Sequence, residues 1–193
     1  MKFDELFDFK SLVNDKVSIW FYARVVLFLV LNFAILAIGS KLMGPEGANP
    51  EFYKMGDRAP WTPPGWVFGA AWFIIMFCFA FYMAKLWEIE GDPKASELKG
   101  FWKRQINGNR DFVITFFIVQ AILNIAWNPV FFQYAQVGPA LGIIALLTFL
   151  ILYVMFKYIK KMKYYSFLIL PYSIWLCIAT SLNYYFWMNN PPA

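Results

Sequence analysis

Four stretches of the chain, residues 25–40, 59–84, 112–156 and 164–193, contain no charged side chain, and the third is long enough to cross a bilayer twice. That feature leaves few folds open. A hydrocarbon core roughly 30 Å thick takes about 20 apolar residues at about 1.5 Å each. The uncharged stretches therefore supply five crossings within 193 residues. Backbone polar groups in lipid must be satisfied inside a helix or a closed barrel, and the alternating pattern of barrel strands is nowhere sustained. An all-α integral membrane protein, a bundle of five transmembrane helices, is expected. The spans fall at about 18–40, 65–87, 111–132, 138–157 and 164–188, within one membrane domain over 18–193. Charged residues make up only 15% of the chain, against about 25% in soluble domains, so no separate soluble module is expected.

Residues 1–17 stand apart, with Phe3, Leu6 and Phe7 recurring among Asp4, Glu5, Asp8 and Lys10. A short interfacial helix is the expected form. The run ending in Ala37-Ile38-Gly39 is not expected to be a cleaved signal, because its leading segment is long and acidic where a signal is short and basic.

Cation placement predicts orientation, since cytoplasmic loops hold the excess of Lys and Arg. Lys2, Lys10 and Lys16 precede the first span. Lys85, Lys94, Lys99, Lys103, Arg104 and Arg110 lie in the second loop, and Lys157, Lys160, Lys161 and Lys163 in the fourth. The opposite side has Lys41, Lys54 and Arg58, and Arg24 sits just inside the first span. The N-terminus is expected inside and the C-terminus outside. The net charge of +5 belongs to these loops, where anionic headgroups of membrane lipids are the natural partner rather than a nucleic acid.

The chain has no histidine, which excludes His-based metal sites, a Ser-His-Asp triad and the usual proximal ligand of haem. No span carries a carboxylate or lysine at mid-membrane, where an ion-coupled pump needs one. Cys78 and Cys177, the only cysteines, both fall inside spans, so no disulfide framework is expected.

Uncharged polar and aromatic groups remain. Gln120, Asn124 and Asn128 repeat every four residues in the third span and so share a face, with Trp127 and Phe131 adjoining it. Such amides either cement helices together or orient a ligand in an apolar, aromatic pocket. The fifth span has a similar face of Tyr172, Trp175, Ala179, Asn183 and Trp187. Trp187, Tyr184 and Tyr185 suit the headgroup level, whereas mid-span Trp175 needs an internal partner for its N–H. Gly65 and Gly69, followed by Trp72, form one GxxxG pair and Gly138 and Gly142 another; close helix packing is the expected meaning of both. The loop over residues 41–64 is long and rich in Gly and Pro, yet Phe52, Tyr53 and Trp61 favour a folded lid. Pro63 and Pro64 preset the start of the second helix.

Three motifs then stand in order. Trp61-Thr62-Pro63-Pro64-Gly65-Trp66 leads to Gly69 and Trp72. Leu123-Asn124-Ile125-Ala126-Trp127-Asn128-Pro129-Val130-Phe131-Phe132 follows. Last comes Leu170-Pro171-Tyr172, running through Trp175 to Ala179-Thr180-Ser181-Leu182-Asn183-Tyr184-Tyr185. On these motifs the chain, over about residues 18–190, closely resembles the translocator protein family, also called TspO or the peripheral-type benzodiazepine receptor family. The resemblance implies a five-helix bundle, usually dimeric, whose lid-covered pocket binds protoporphyrin IX and isoquinoline carboxamide or benzodiazepine-type ligands. It implies roles in tetrapyrrole sensing or transport, stress response and lipid or sterol handling. Carried over by motif, Trp72, Asn124, Asn128, Trp175 and Ala179 would line the pocket, with Trp61 at the lid junction. In some bacterial relatives the indoles matching Trp72 and Trp175 are implicated in light- and oxygen-dependent breakdown of protoporphyrin. The sterol motif of animal members departs here: Leu182 and Tyr184 are present, but no Lys or Arg follows.

Three readings of function result. The first is a receptor holding a flat apolar ring between indole faces, with Trp61, Trp72, Gln120, Asn124, Trp127, Asn128, Phe131, Tyr172, Trp175, Ala179 and Asn183 as ligand-binding residues. No cofactor is required; protoporphyrin IX, metal-free because no histidine is present, is ligand or substrate. The second is an enzyme in which Trp72 and Trp175 are catalytic redox partners of an excited porphyrin. The third, a lipid-organising bundle, leaves the lid and the amide stripe unexplained.

Overall fold

The computed structural model describes residues 19–91 and 110–190, so the interfacial segment expected over 1–17 lies outside the described residues, as does most of the second loop. Helix α1 spans Ile19–Lys41, α2 is the short Glu51–Met55, and α3 spans Gly65–Glu90. Helix α4 spans Arg110–Asn128, α5 Val137–Met162 and α6 Leu170–Asn189.

Three helical stretches, Ile19–Lys41, Gly65–Glu90 and Arg110–Gln133, are each long and apolar enough for one crossing. The fourth, Val137–Asn189, has 53 residues, about 80 Å of helix and too much for a single pass. It doubles back at Lys163, whose φ of 49° ends the α-helical course of α5. Helices α5 and α6 then pack along each other, giving five crossings in all.

Local chemistry explains the breaks. Gly44 (φ 90°) and Gly47 (φ 60°) turn the chain after α1 in a conformation that side chains resist. Pro64 caps α3, which ends where the Gly91 N–H reaches the Trp87 and Glu88 carbonyls. Pro129 has no N–H to continue α4, and the chain widens into a π-turn, Pro129–Gln133, closed by Tyr134 N–H on Pro129 O at 2.9 Å. The fifth crossing was expected to start near 164. Residues Lys163–Ile169 instead form a 3₁₀ segment, and α6 begins at Leu170 beside Pro171, which cannot donate within an α-helix.

Helix α3 forms the centre of the bundle. Its Phe79, Tyr82, Met83 and Ala84 are fully buried among Phe28 of α1, Phe116 of α4, Ile151 of α5 and Tyr172 of α6. Asn32 of α1 donates to Met76 O at 3.0 Å, and Thr148 of α5 meets Thr180 of α6 at 2.9 Å, each joining two helices inside the bundle. A second cluster of Phe131, Ala140 and Phe186 closes the lid end. At the other end the buried Glu90 carboxylate receives Lys161 at 3.2 Å, and Lys157 lies 3.8 Å from the centre of the Phe112 ring.

The glycine pairs depart from the expected close packing. A Cβ on Gly138 would lie 3.1 Å from the Trp187 indole nitrogen, but Gly142, Gly65 and Gly69 have no described neighbour within 4 Å of that position. Gly142 lies opposite the buried stripe of Ala140, Ile144 and Leu147, facing outward. Gly39 makes the close approach instead: its Cβ would come 2.7 Å from Asn128 Nδ2.

Candidate functional site

The amide stripe of α4 turns inward, with Gln120, Asn124 and Asn128 at 2%, 4% and 8% exposure. Its partner is a phenol from α6. Asn124 Nδ2 donates to the Tyr172 hydroxyl at 2.9 Å, and that hydroxyl donates to Gln120 Oε1 at 3.2 Å. Asn128 Nδ2 donates back to the Asn124 carbonyl at 2.9 Å, beside Gly39 of α1. Gln120 and Asn124 thus bridge helices, and Asn128 fills the contact with α1.

One turn nearer the lid, Trp127 Nε1 donates to Asn183 Oδ1 at 3.1 Å, and Asn183 Nδ2 donates to Val137 O at 3.0 Å. The Trp127 ring stacks on Phe131 with centroids 5.3 Å apart. These side-chain bridges are the principal link between α4 and α6, whose backbones stay apart while α6 packs closely on α5. Two of the three other indoles chosen from sequence, Trp72 and Trp175, flank this seam. Half-buried Trp72 meets Tyr172 edge-on at 6.1 Å, and buried Trp175 meets Phe68 edge-on at 5.2 Å. Ala179, one turn after Trp175, is half-buried against the core.

The segment 41–64 is folded over this end. Phe52 and Tyr53 of α2 pack on Phe131 and Phe186. Gly56 lies under the Phe186 ring, where a Cβ would come within 2.5 Å of it. The Asn190 amide clasps the lid backbone, accepting from Asp57 N at 2.8 Å and donating to Asp57 O at 3.0 Å. Trp61 donates from Nε1 to Ser181 Oγ at 3.2 Å and lies edge-on to Tyr185, yet stays 53% exposed. Burial raises the pKa of the Tyr53 phenol, partly offset by the Arg58 guanidinium 5.8 Å from the ring.

Beside the lid runs an open cleft of about 590 Å³ lined by Gly56, Arg58, Ala59, Thr62, Pro63, Pro64 and Gly65. It meets α3 at Gly65, the first residue of that helix. Gly65 precedes Met76 and Met83 by eleven and eighteen residues, about three and five helical turns. All three therefore share a face with Gly69, buried at the methionines and bare at the glycines. The arrangement presents one guanidinium, Arg58, at the cleft and bare backbone at Gly65 and Gly69, with the rings of Phe68 and Trp72 further along the same helix.

Of the residues chosen from sequence, Tyr172 gathers Gln120, Asn124 and Trp72; Trp127, Phe131 and Asn183 gather under the lid; Trp175 pairs with Phe68, Ala179 stands one turn beyond it, and Asn128 turns toward α1. Sequence reasoning passed over Phe68, Ser181, Asn190 and Arg58. Phe68 was findable as the residue one turn before Trp72, whereas nothing along the chain ties Asn190 to Asp57 across 133 positions.

The profile of the TspO/MBR family matches residues 26–188. The chain is 25% identical over 163 residues to the tryptophan-rich sensory protein of Cereibacter sphaeroides, covering 84% of this chain and 89% of that one. It is 27% identical to the translocator protein of Homo sapiens, with 79% and 82% covered. With the tryptophan-rich protein TspO of Archaeoglobus fulgidus the identity is 30% over 168 residues, covering 86% of this chain and 98% of its relative.

Proposed function

Because this chain belongs to the TspO/MBR family, we propose that it is a multi-pass membrane receptor that binds protoporphyrin IX or a similarly flat apolar molecule between α3, α4 and α6, in tetrapyrrole sensing or transport. One observation carries the reading: the interior face of α3, sealed at Met76 and Met83, is open at Gly65, which lines the lid cleft, and at Gly69 one turn further on. A ring lying on bare glycine backbone meets Phe68 and Trp72 of α3 and Trp175 of α6. Each aromatic contact adds about 0.5–1.5 kcal/mol beyond simple burial. Gln120 and Asn124 act through Tyr172, fixing the phenol against which Trp72 rests.

The cation-rich loops face the cytoplasmic side in this reading, the lid faces the other, and two copies associate within the lipid. The test is a fluorescence titration of the detergent-solubilised chain with protoporphyrin IX. Trp72→Ala and Trp175→Ala are expected to weaken binding about tenfold each. Unchanged affinity in both variants would refute the assignment.

A further inference from the structure

We propose that the seam between α4 and α5, at the end of the bundle away from the lid, binds an anionic phospholipid, its phosphate on Lys157 and Lys160 and its acyl chains on the rings below. Helix α5 ends in Lys157, Lys160 and Lys161 and carries no carboxylate along its length. Lys161 is occupied by the buried Glu90, and Glu88 of α3 is occupied by Lys85. Lys157 and Lys160 have no described carboxylate within 4 Å, although Asp111 stands next to Phe112 in the chain. The described residues of this end thus leave positive charge uncompensated on one helix.

Lys157 is held in place by rings. Its Nζ lies 3.8 Å from the centre of the Phe112 ring of α4, and 5.6 Å and 5.4 Å from those of Tyr153 and Tyr158 of α5. Ring faces attract an ammonium without neutralising it, so its outer side can still donate to a phosphate oxygen. A cation fixed in this way also loses less side-chain freedom on binding than one swinging in water.

The same face of α5 supplies the apolar half. Phe149, Tyr153, Phe156 and Lys160 follow one another at helical steps of four, three and four, and so form one stripe. The three rings are exposed, and the first two stack with centroids 6.5 Å apart. Each lysine therefore stands one turn beyond an exposed ring, Lys157 after Tyr153 and Lys160 after Phe156. Rings in the hydrocarbon with ammonium groups at its edge match a phospholipid lying along the helix. A soluble phosphate would meet the lysines and leave the rings bare. A phosphocholine headgroup brings its own cation, so an anionic headgroup is the one that keeps net charge for both lysines.

The full chain in neutral detergent is incubated with equimolar dioleoyl phosphatidylglycerol and dioleoyl phosphatidylcholine, and the retained lipids are counted by native mass spectrometry. The first lipid retained is expected to be phosphatidylglycerol by about 25-fold, the scale of two cations near a membrane surface. Lys160→Gln, at an exposed position, should lower that ratio about fivefold. Adding Lys157→Gln should bring it near one, whereas Lys157→Arg should keep it, and Lys54→Gln on the lid should leave it unchanged. Should the double variant fail to fold, Lys160→Gln alone decides. A wild-type ratio near one, a ratio that survives Lys160→Gln, or an equal loss in Lys54→Gln overturns the site. Displacement of the lipid by glycerol phosphate would assign the lysines to a soluble anion and overturn the proposal as well.

Discussion

Filling the bare face of α3 should block the ligand without harming the fold, and Gly69→Leu does so with a defined geometry. No described atom lies within 4 Å of the Cβ position, so the new side chain enters open space. Leucine is also the better helix former, by about 0.8–1 kcal/mol. Thermal stability of the unliganded protein should therefore hold or rise. A ring stacked on the glycine backbone would be displaced by roughly the width of a methyl group. Forcing an extra aliphatic group into a fitted contact costs about 1–3 kcal/mol. At about 1.4 kcal/mol per decade, affinity for protoporphyrin IX should fall by about 5- to 150-fold. The assay is fluorescence quenching in detergent, with the unfolding midpoint measured on the same samples. Gly142→Leu is the matched control, because Gly142 is equally bare yet lies on the outward side of α5. Equal loss in both variants, or full affinity in Gly69→Leu, would refute the argument that the bare glycines line a binding face.

Tyr172→Phe removes the hydroxyl that joins Asn124 to Gln120. With interhelical hydrogen bonds averaging about 0.6 kcal/mol, and reaching about 1.7, the loss should be about 1–3 kcal/mol in reversible mixed-micelle unfolding. Strict additivity with Asn124→Leu would show that the two groups are not coupled. Asn190→Ala deletes the clasp on Asp57 and should raise hydrogen exchange over residues 51–61 at least tenfold, on the order of 1.4 kcal/mol; unchanged protection would mean that the aromatic packing of Phe52 and Tyr53 holds the lid alone. Lys161→Met leaves the buried Glu90 carboxylate without its cation. Because Lys161 is itself largely exposed, the cost is about 1–2 kcal/mol rather than that of a fully buried pair, and Glu90→Gln in the same background should recover most of it; no recovery would point to lost packing instead.

The crossings were legible because lipid imposes a single criterion, a long apolar run, which the stretches over 59–84, 112–156 and 164–193 meet without a charge and which the first span meets by taking in Arg24 at its edge. Helix ends were less legible. Lys85 and Lys157 bounded the uncharged runs, yet α3 continues to Glu90 and α5 to Met162. Charge marks where the hydrocarbon stops, not where a helix must. Lys85 pairs with Glu88 at 2.9 Å one turn along α3, and Lys157 settles on the Phe112 ring, so both extend the helix past the membrane edge. At 163–169 hydropathy predicts continuous helix, and the 3₁₀ turn follows from a backbone constraint, Pro171, to which hydropathy is blind.

The candidate site was legible in its residue types and spacing but not in its occupancy. A four-residue repeat puts Gln120, Asn124 and Asn128 on one face; whether they meet a guest or a neighbour depends on Tyr172, 52 and 48 positions from the first two. The glycine pairs carry the sharper lesson. Had α3 met its neighbours through Gly65 and Gly69, the lid end of the bundle would have closed to backbone contact. Instead α4 and α6 are linked by long bridges, Asn124 to Tyr172 and Trp127 to Asn183, which set the spacing of the helices as struts do. With the spacing fixed by struts, a missing side chain on α3 leaves room rather than drawing a helix closer. The same kind of glycine pair that cements one bundle thus leaves open space beside α3 in this one, where side-chain bridges rather than glycines join α4 to α6.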